Sequence, residues 1–201
     1  MTETAGSIAL AASAREHLLD RFLDELEAPA PSPCGGTAAA VVAAMAASLV
    51  TMVARGSPDW VDAAGIASQA RALRSRLTTL GDDDAAVFEH VIMTMRNRAG
   101  TAEQRDHALG EALVHAAEVP LQIAEAAADV ADLAALAAAE GSPQLQPDAT
   151  AAATLAEAAV RAATHLVEIN LATVPGDRHS GRAEMLSAAA AAARARALGS
   201  V

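Results

Sequence analysis

Alanine supplies most of the apolar side chains of this 201-residue chain, and aromatic residues are almost absent. Hydrophobic residues make up 53% of the sequence but aromatic residues only 1%, with no tyrosine, one tryptophan and two phenylalanines. Alanine is the strongest helix former, whereas β-branched and aromatic residues favour strands. The sequence therefore predicts an all-α protein whose helices pack closely through many short contacts between small side chains.

Glycine and proline clusters divide the chain into long helical segments joined by short loops. Apolar spacing and these stop signals predict five helical regions, which cover residues 7–26, 37–54, 60–99, 101–140 and 147–174. A final alanine-rich helix is predicted after residue 177. Long helices with short connections pack antiparallel to their neighbours. We therefore expect an up-and-down antiparallel bundle, forming a single domain over residues 1–201.

Local signals refine these expected helices. Thr101 and Gln104 have the spacing of a capping box, and Asp148 is expected to be the N-cap of the fifth helix. Gly81 is expected to kink or split the third helix, and Pro120 to bend the fourth.

Charge and cysteine content restrict the partners and the compartment. The formal net charge is −11 and every basic residue is an arginine, so the surface should repel phosphate backbones and not bind nucleic acid. A single cysteine, Cys34, excludes an internal disulfide and fits a reducing compartment. No positively charged region precedes the first apolar stretch, so we see no secretory signal and expect a cytoplasmic protein.

One segment has the length of a membrane span. Residues 37–54 carry no charge, and a spanning helix needs about 20 apolar residues. The segment is mostly alanine, however, and it lacks flanking aromatic and positively charged residues. We interpret it as a helix buried on all sides in a bundle or at a subunit interface, not as a membrane anchor.

Asp84 is the strongest candidate for a catalytic side chain. It lies within one apolar stripe at helical spacing, formed by Leu73, Leu77, Leu80, Phe88, Val91 and Met95. A carboxylate on such a stripe points towards the core or into a cleft, where general acids and bases are found. The alternative is that Asp82, Asp83 and Asp84 cap a helix that restarts after Gly81.

Two further motifs are candidates for ligand contacts. Cys34, Gly35, Gly36 and Thr37 lead into the alanine helix, and glycines before a helix expose backbone N–H groups to an anion or a carbonyl oxygen. The alternative is a tight turn between packed helices. Asn170 lies on an apolar helix face, where its amide contacts a ligand or bridges two helices.

The same sequence gives no pattern for a metal site. The six histidines are dispersed, without paired spacings typical of metal ligands. A nucleophilic role for Cys34 has no adjacent base in the sequence to support it.

The order of these motifs resembles the cyclodeaminase/cyclohydrolase family. This family comprises the cyclodeaminase domain of formiminotransferase-cyclodeaminase and the bacterial methenyltetrahydrofolate cyclohydrolases. The resemblance covers nearly the whole chain and rests on the following segments: residues 22–26, the turn 33–39, the Asp84–Phe88 motif, Val119–Leu121, Gly141, Asp148 and Ile169–Leu171.

The resemblance implies an all-α homodimer that binds a folate in a cleft near the subunit interface. It implies Asp84 as the acid/base and Cys34, Gly35, Gly36, Thr37, Asp148 and Asn170 as substrate-binding residues. The implied reactions are hydrolysis of 5,10-methenyltetrahydrofolate or deamination of 5-formiminotetrahydrofolate, with the folate as substrate and no metal or organic cofactor.

Two departures from the family pattern support alternatives. Cys34 stands where the family has the first of three glycines, and Arg96–Ala99 replaces the family's Leu-Pro-Lys segment. The side chain of Cys34 narrows the pocket or adds a reactive group. One alternative is the same scaffold acting as a cyclase or hydrolase on a non-folate small molecule. The other is a non-catalytic helical dimer subunit.

Overall fold

The structure is a computed structural model of the single chain, and it describes residues 19–28, 33–172 and 178–199. The described residues contain six α-helices and no strand. The first, α1, is helical over residues 19–27. The others are α2 (Gly35–Arg55), α3 (Ala63–Arg96), α4 (Ala102–Glu140), α5 (Gln146–Asn170) and α6 (Arg178–Ala197), and a short 3₁₀ helix, Pro143–Leu145, precedes α5. The predicted all-α bundle is confirmed.

Contacts between helix ends establish the directions of the helices. Thr150 near the start of α5 contacts the carbonyl of Ala197 at the end of α6, so these two helices run antiparallel. Ion pairs join Arg182 to Glu125 and Arg196 to Asp132, so α6 runs parallel to α4. Consecutive helices therefore alternate in direction around a shared core, as the short loops predict.

The core consists largely of alanine. The buried side chains of α4 and α5 are mainly alanines. Few large side chains are fully buried in the described core as a whole, and the largest of them include Leu77, Ile123, Val50, Val53, Val130, Val160 and Val167. Small side chains bring helix axes close together, so each helix face gains many short contacts. This packing places the first turn of α2 directly against α3. That turn includes Gly35 and Gly36, so the prediction that these glycines precede the helix is wrong: α2 begins two residues earlier than residue 37.

Helix α2 is long and apolar enough to cross a membrane by length and composition alone. In the structure it packs against α3, α4 and α5. The expectation of burial on all sides is wrong for the single chain, because Met45 is 56% exposed and Met52 is 42% exposed. One face of α2 is therefore open, and its place at a subunit interface stays a prediction.

Several predicted helix boundaries are corrected by the structure. Gly81 neither splits nor ends α3, which continues from Ala63 to Arg96. The interpretation of Asp82–Asp84 as a cap is therefore wrong, because these residues lie inside a continuous helix. Asp148 is not the N-cap of α5; it lies in the first turn, and Leu145 is the cap residue.

The predicted capping box is confirmed, with Thr101 and Gln104 forming it at the start of α4. Pro120 lies inside α4 without ending it, and the bend expected there stays a prediction. The predictions for residues 7–18, 29–32 and 173–177 fall outside the described residues.

Candidate functional site

The site is built where the first turn of α2 meets the middle of α3. The hydroxyl of Thr37 donates to the carbonyl oxygen of Gly81 over 3.1 Å, which joins the two helices. Asp84 lies one turn further along α3 on the same face, because residues three apart are neighbours on a helix. Its side chain is only 7% exposed. The carboxylate predicted from the apolar stripe is therefore buried against the start of α2.

Hydrogen bonds from α2 hold the Asp84 carboxylate. The thiol of Cys34 lies 3.0 Å from Oδ2 of Asp84, and the hydroxyl of Thr37 lies 3.5 Å from the same oxygen. The positive end of the α2 dipole faces this carboxylate, since Cys34 is the N-cap residue and the first backbone N–H groups have no partner within the helix. These donors partly compensate for the cost of burying a negative charge.

Gly36 is required by the close approach of Asp84. A Cβ atom at this position would overlap the carboxylate of Asp84. Its neighbour Gly35 is different, because a Cβ there would meet only Cδ1 of Leu166, at 3.9 Å. The two glycines of the turn therefore have different roles, and only Gly36 makes room for the carboxylate.

A cleft of about 270 Å³ opens beside the carboxylate. Four helices line it, with residues Cys34, Gly35, Asp84, Val87, Phe88, Ala116, Pro120, Leu166, Ile169 and Asn170. Its walls are mainly apolar and its few polar groups converge, which is typical of small-molecule sites. A larger groove of about 510 Å³ lies between α3 and α4 but contains none of the predicted site residues.

Asn170 closes one side of this cleft through a contact with α4. Its Nδ2 donates to the carbonyl oxygen of Ala116 over 2.9 Å. This carbonyl has no helical donor, because residue 120, four positions later, is a proline and lacks an N–H. Asn170 thus bridges α5 and α4, which is one of its two predicted roles. It also lines the cleft, and its contact with a ligand stays a prediction.

Among the residues that the structure describes, no positively charged side chain lines the cleft. The ionisable side chains of this described lining are Asp84 and Cys34. The pKa of Cys34 is raised from 9.0 to about 11, first by burial, then by its hydrogen bond to Asp84 and by the negative charge of that residue. The thiol is therefore protonated at neutral pH.

The structure brings together most of the predicted site residues. Cys34, Gly35 and Asn170 line the cleft with Asp84, while Gly36 and Thr37 lie against the carboxylate. Asp148 lies elsewhere: it is 22 residues from Asn170 along α5, which corresponds to about 33 Å. Its substrate-binding role stays a prediction. Within the described residues no group of three or more histidine, cysteine or carboxylate side chains could hold a metal ion.

Val87, Leu166 and Ile169 line the cleft but are not predicted as site residues from the sequence. These apolar residues carry no chemical signal of their own, and they become walls of the cleft because α3 and α5 both pack against α2 and α4. The link between Asn170 and Pro120 was also missed. A proline inside a helix signals a carbonyl four residues earlier that needs a donor, and that signal is visible in the sequence.

Comparisons with known proteins identify the family of this chain. The family model described as formiminotransferase-cyclodeaminase matches residues 18–190. The methenyltetrahydrofolate cyclohydrolase of Methylorubrum extorquens is 34% identical over 162 residues, which are 76% of this chain and 78% of that protein. The formimidoyltransferase-cyclodeaminase of Sus scrofa is 32% identical over 169 residues, 79% of this chain but only 31% of that protein.

A solved structure is also similar over most of its length. The crystal structure of formiminotetrahydrofolate cyclodeaminase from Thermotoga maritima matches with a TM-score of 0.81 and 26% identity, covering 90% of this chain and 93% of that one. The sequence match extends over the cleft and the turn before α2. This chain therefore belongs to the formiminotransferase-cyclodeaminase family of enzymes.

Proposed function

We propose that this protein is a folate one-carbon enzyme that hydrolyses 5,10-methenyltetrahydrofolate, with Asp84 as its acid/base. The observation that carries the proposal is a buried carboxylate in a mainly apolar cleft without a positively charged wall. An unpaired buried charge is costly, so a cationic ligand group would be favoured there. The reacting carbon of this substrate bridges N5 and N10 and belongs to an amidinium-like cation.

The chemistry follows from the position of the carboxylate. Water adds to the bridging carbon, and Asp84 accepts the proton that water loses as the new C–O bond forms. Asp84 then gives that proton to the folate nitrogen whose bond to the carbon breaks, and the hydroxyl on the carbon releases its own proton to solvent as the formyl C=O forms. The cationic substrate and water thus give a neutral formyl product and one proton. The negative charge of Asp84 also stabilises positive charge on the carbon before attack. Since every step is an addition, a bond cleavage or a proton transfer, this scheme uses no metal or organic cofactor.

The size of the cleft limits how a folate is held. At about 270 Å³ the cleft is slightly smaller than the range of about 300–1,000 Å³ typical of sites for drug-sized ligands. It is suited to the ring system that carries the reacting carbon, and the glutamate end of the folate would extend outside it.

Deamination of 5-formiminotetrahydrofolate is the second candidate. It is supported by the similarity to the Thermotoga maritima cyclodeaminase, which covers nearly all of both chains. In this reaction N10 attacks the formimino carbon and ammonia leaves, and Asp84 would deliver the proton to the departing nitrogen. Hydrolysis is placed first because the cyclohydrolase of Methylorubrum extorquens has the higher identity, 34% against 26%.

The test measures turnover of both substrates by the purified protein. Decay of the methenyltetrahydrofolate chromophore above the uncatalysed rate would support hydrolysis, and release of ammonia from formiminotetrahydrofolate would support deamination. If neither reaction is accelerated and no folate binds, the proposal is wrong. The scaffold then acts on a non-folate small molecule or serves as a non-catalytic subunit.

We also infer that the enzyme is a homodimer. The open face of α2 carries Val41, Met45, Leu49 and Met52, all partly or largely exposed in the single chain, and no charge lies between residues 37 and 54. An uncharged apolar helix face of this kind suits a second copy of the same chain. Light scattering should give twice the mass of 20.2 kDa. Met45→Glu should shift the protein towards the monomer, and a monomeric wild type would contradict the inference.

A further inference from the structure

Cys34 is the one polar residue of the cleft whose role the proposed reaction leaves open. It is the N-cap residue of α2, it lines the cleft, and its Sγ lies 3.0 Å from Oδ2 of Asp84. The side chain is therefore in contact with the carboxylate proposed to exchange protons with substrate.

The direction of this hydrogen bond follows from the chemistry of the two groups. An ionised carboxylate has no proton to donate, so the thiol of Cys34 must be the donor. Burial, the hydrogen bond to Asp84 and the charge of Asp84 raise the pKa of Cys34 to about 11, while the N–H groups of Gly36 and Thr37 act in the opposite direction. A protonated thiol is a poor nucleophile, so this environment does not favour covalent catalysis by Cys34.

The other surroundings do not alter this pairing. The residues that α4 and α5 contribute to the cleft are not ionisable, namely Ala116, Pro120, Leu166, Ile169 and Asn170. On α3, Asp82 and Asp83 are exposed, and Val87 and Phe88 are the apolar neighbours within the cleft. Cys34 and Asp84 thus form an isolated donor–acceptor pair.

The thiol of Cys34 is the main donor to the carboxylate, because the single hydroxyl proton of Thr37 goes to the nearer carbonyl oxygen of Gly81. Cys34 and Thr37 contact Oδ2, and among the described residues no comparable donor contacts Oδ1. We propose that Cys34 is a positioning residue, whose thiol proton holds Oδ2 of Asp84 so that Oδ1 is the oxygen that exchanges protons with the substrate. The proton exchange with a folate rests on the proposed function, whereas the hydrogen bond between Cys34 and Asp84 does not depend on it.

The hydrogen bond can be tested without any substrate. Cys34 is the only cysteine, so alkylation by iodoacetamide, followed by mass spectrometry, reports on this thiol alone. In the folded wild type the rate should rise about ten-fold per pH unit from pH 7 to 10 without levelling, whereas protein unfolded in guanidinium should level near the ordinary thiol value.

Matched variants identify the acceptor. Asp84→Asn should increase the alkylation rate at pH 8 about ten-fold, because it removes the negative charge that opposes ionisation of the thiol. Asp83→Asn removes a charge from the adjacent exposed position and should stay within about two-fold of wild type. A folded wild type whose rate levels near pH 9 would overturn the proposal, even if Asp84→Asn does not fold.

Turnover tests the positioning role. Cys34→Ala should lower kcat for the preferred folate about ten-fold with KM within about two-fold, since about 1.4 kcal/mol of lost orientation is a factor of ten. Cys34→Ser keeps a donor and should restore most of kcat. Wild-type kcat in Cys34→Ala, or equal losses in both variants, would refute positioning. If the wild type turns over neither folate, the proposed function fails, and the alkylation rates of wild type and Asp84→Asn still decide whether the hydrogen bond exists.

Discussion

Replacing Asn170 by alanine should lower the free energy of unfolding by about 1–2 kcal/mol. Asn170 supplies the side-chain donor for the carbonyl oxygen of Ala116, a residue that is only 6% exposed. This carbonyl receives no helical hydrogen bond, because residue 120 is a proline and has no N–H. Leaving a buried acceptor without a partner costs about 1–3 kcal/mol. We place the expected loss in the lower part of that range, because Asn170 is only half-buried and water can reach part of the gap.

A double-mutant cycle separates this hydrogen bond from other effects of the substitution. Pro120→Ala restores an N–H that can bond to the carbonyl of Ala116, so Asn170→Ala should then cost less than about 0.5 kcal/mol. The expected coupling of about 1 kcal/mol exceeds the scatter of about 0.3–0.5 kcal/mol seen for independent sites. Changes in packing and helix propensity caused by Pro120→Ala cancel in the cycle, provided that they are the same in both backgrounds.

The assay is urea unfolding of the four proteins at one fixed concentration, because association changes apparent stability. Asn170→Asp is the matched control: it keeps the size of the side chain but replaces the donor with acceptors, and should be at least as destabilising as alanine. Equal costs of Asn170→Ala with and without Pro120 would refute the reasoning, as would a wild-type stability for Asn170→Asp.

Two further predictions concern the first turn of α2 and its N-cap residue, Cys34. Gly36→Ala should lower the thermal midpoint of unfolding, because the added methyl group would overlap the carboxylate of Asp84. Gly35→Ala should leave the midpoint unchanged or raise it, since alanine gains up to about 1 kcal/mol of helix propensity over glycine. Equal midpoints for the two variants would contradict this distinction. The raised pKa of Cys34 means that the unfolded thiol loses its proton from about pH 9.0 and the folded thiol only near 11. The free energy of unfolding of wild type should therefore fall relative to that of Cys34→Ser as pH rises from 9 to 11, and the difference between them should be constant below pH 9. Denaturant titrations across this pH range measure the difference, and a difference that does not change between pH 9 and 11 would contradict the prediction.

Much of the fold follows from local patterns in the sequence. Alanine content and stop signals predict the helices, and the spacing of the apolar stripe predicts that Asp84 faces inwards. The capping box at Thr101 depends only on residues three apart, so it is also predictable. Such features are accessible because they depend on neighbours along one helix.

The features that depend on distant parts of the chain were harder to predict. Gly81 weakens a helix locally, yet α3 remains continuous because packing against α2 supports it. Asp148 has the sequence signal of an N-cap, but α5 begins at Gln146, two residues before Asp148, directly after the short 3₁₀ helix. The bond from Asn170 to Ala116 joins residues 54 apart and depends on how α4 and α5 are aligned.

The proposed function depends on acid/base chemistry by the buried carboxylate of Asp84 on a folate. The decay of 5,10-methenyltetrahydrofolate, measured side by side with wild type, Asp84→Asn and Asp83→Asn, tests this role. Asp84→Asn should lose about 10²- to 10⁴-fold in rate while keeping its helical fold, and Asp83→Asn, changed at an exposed position, should retain wild-type turnover. Accelerated decay by wild type that persists undiminished in Asp84→Asn would contradict the account.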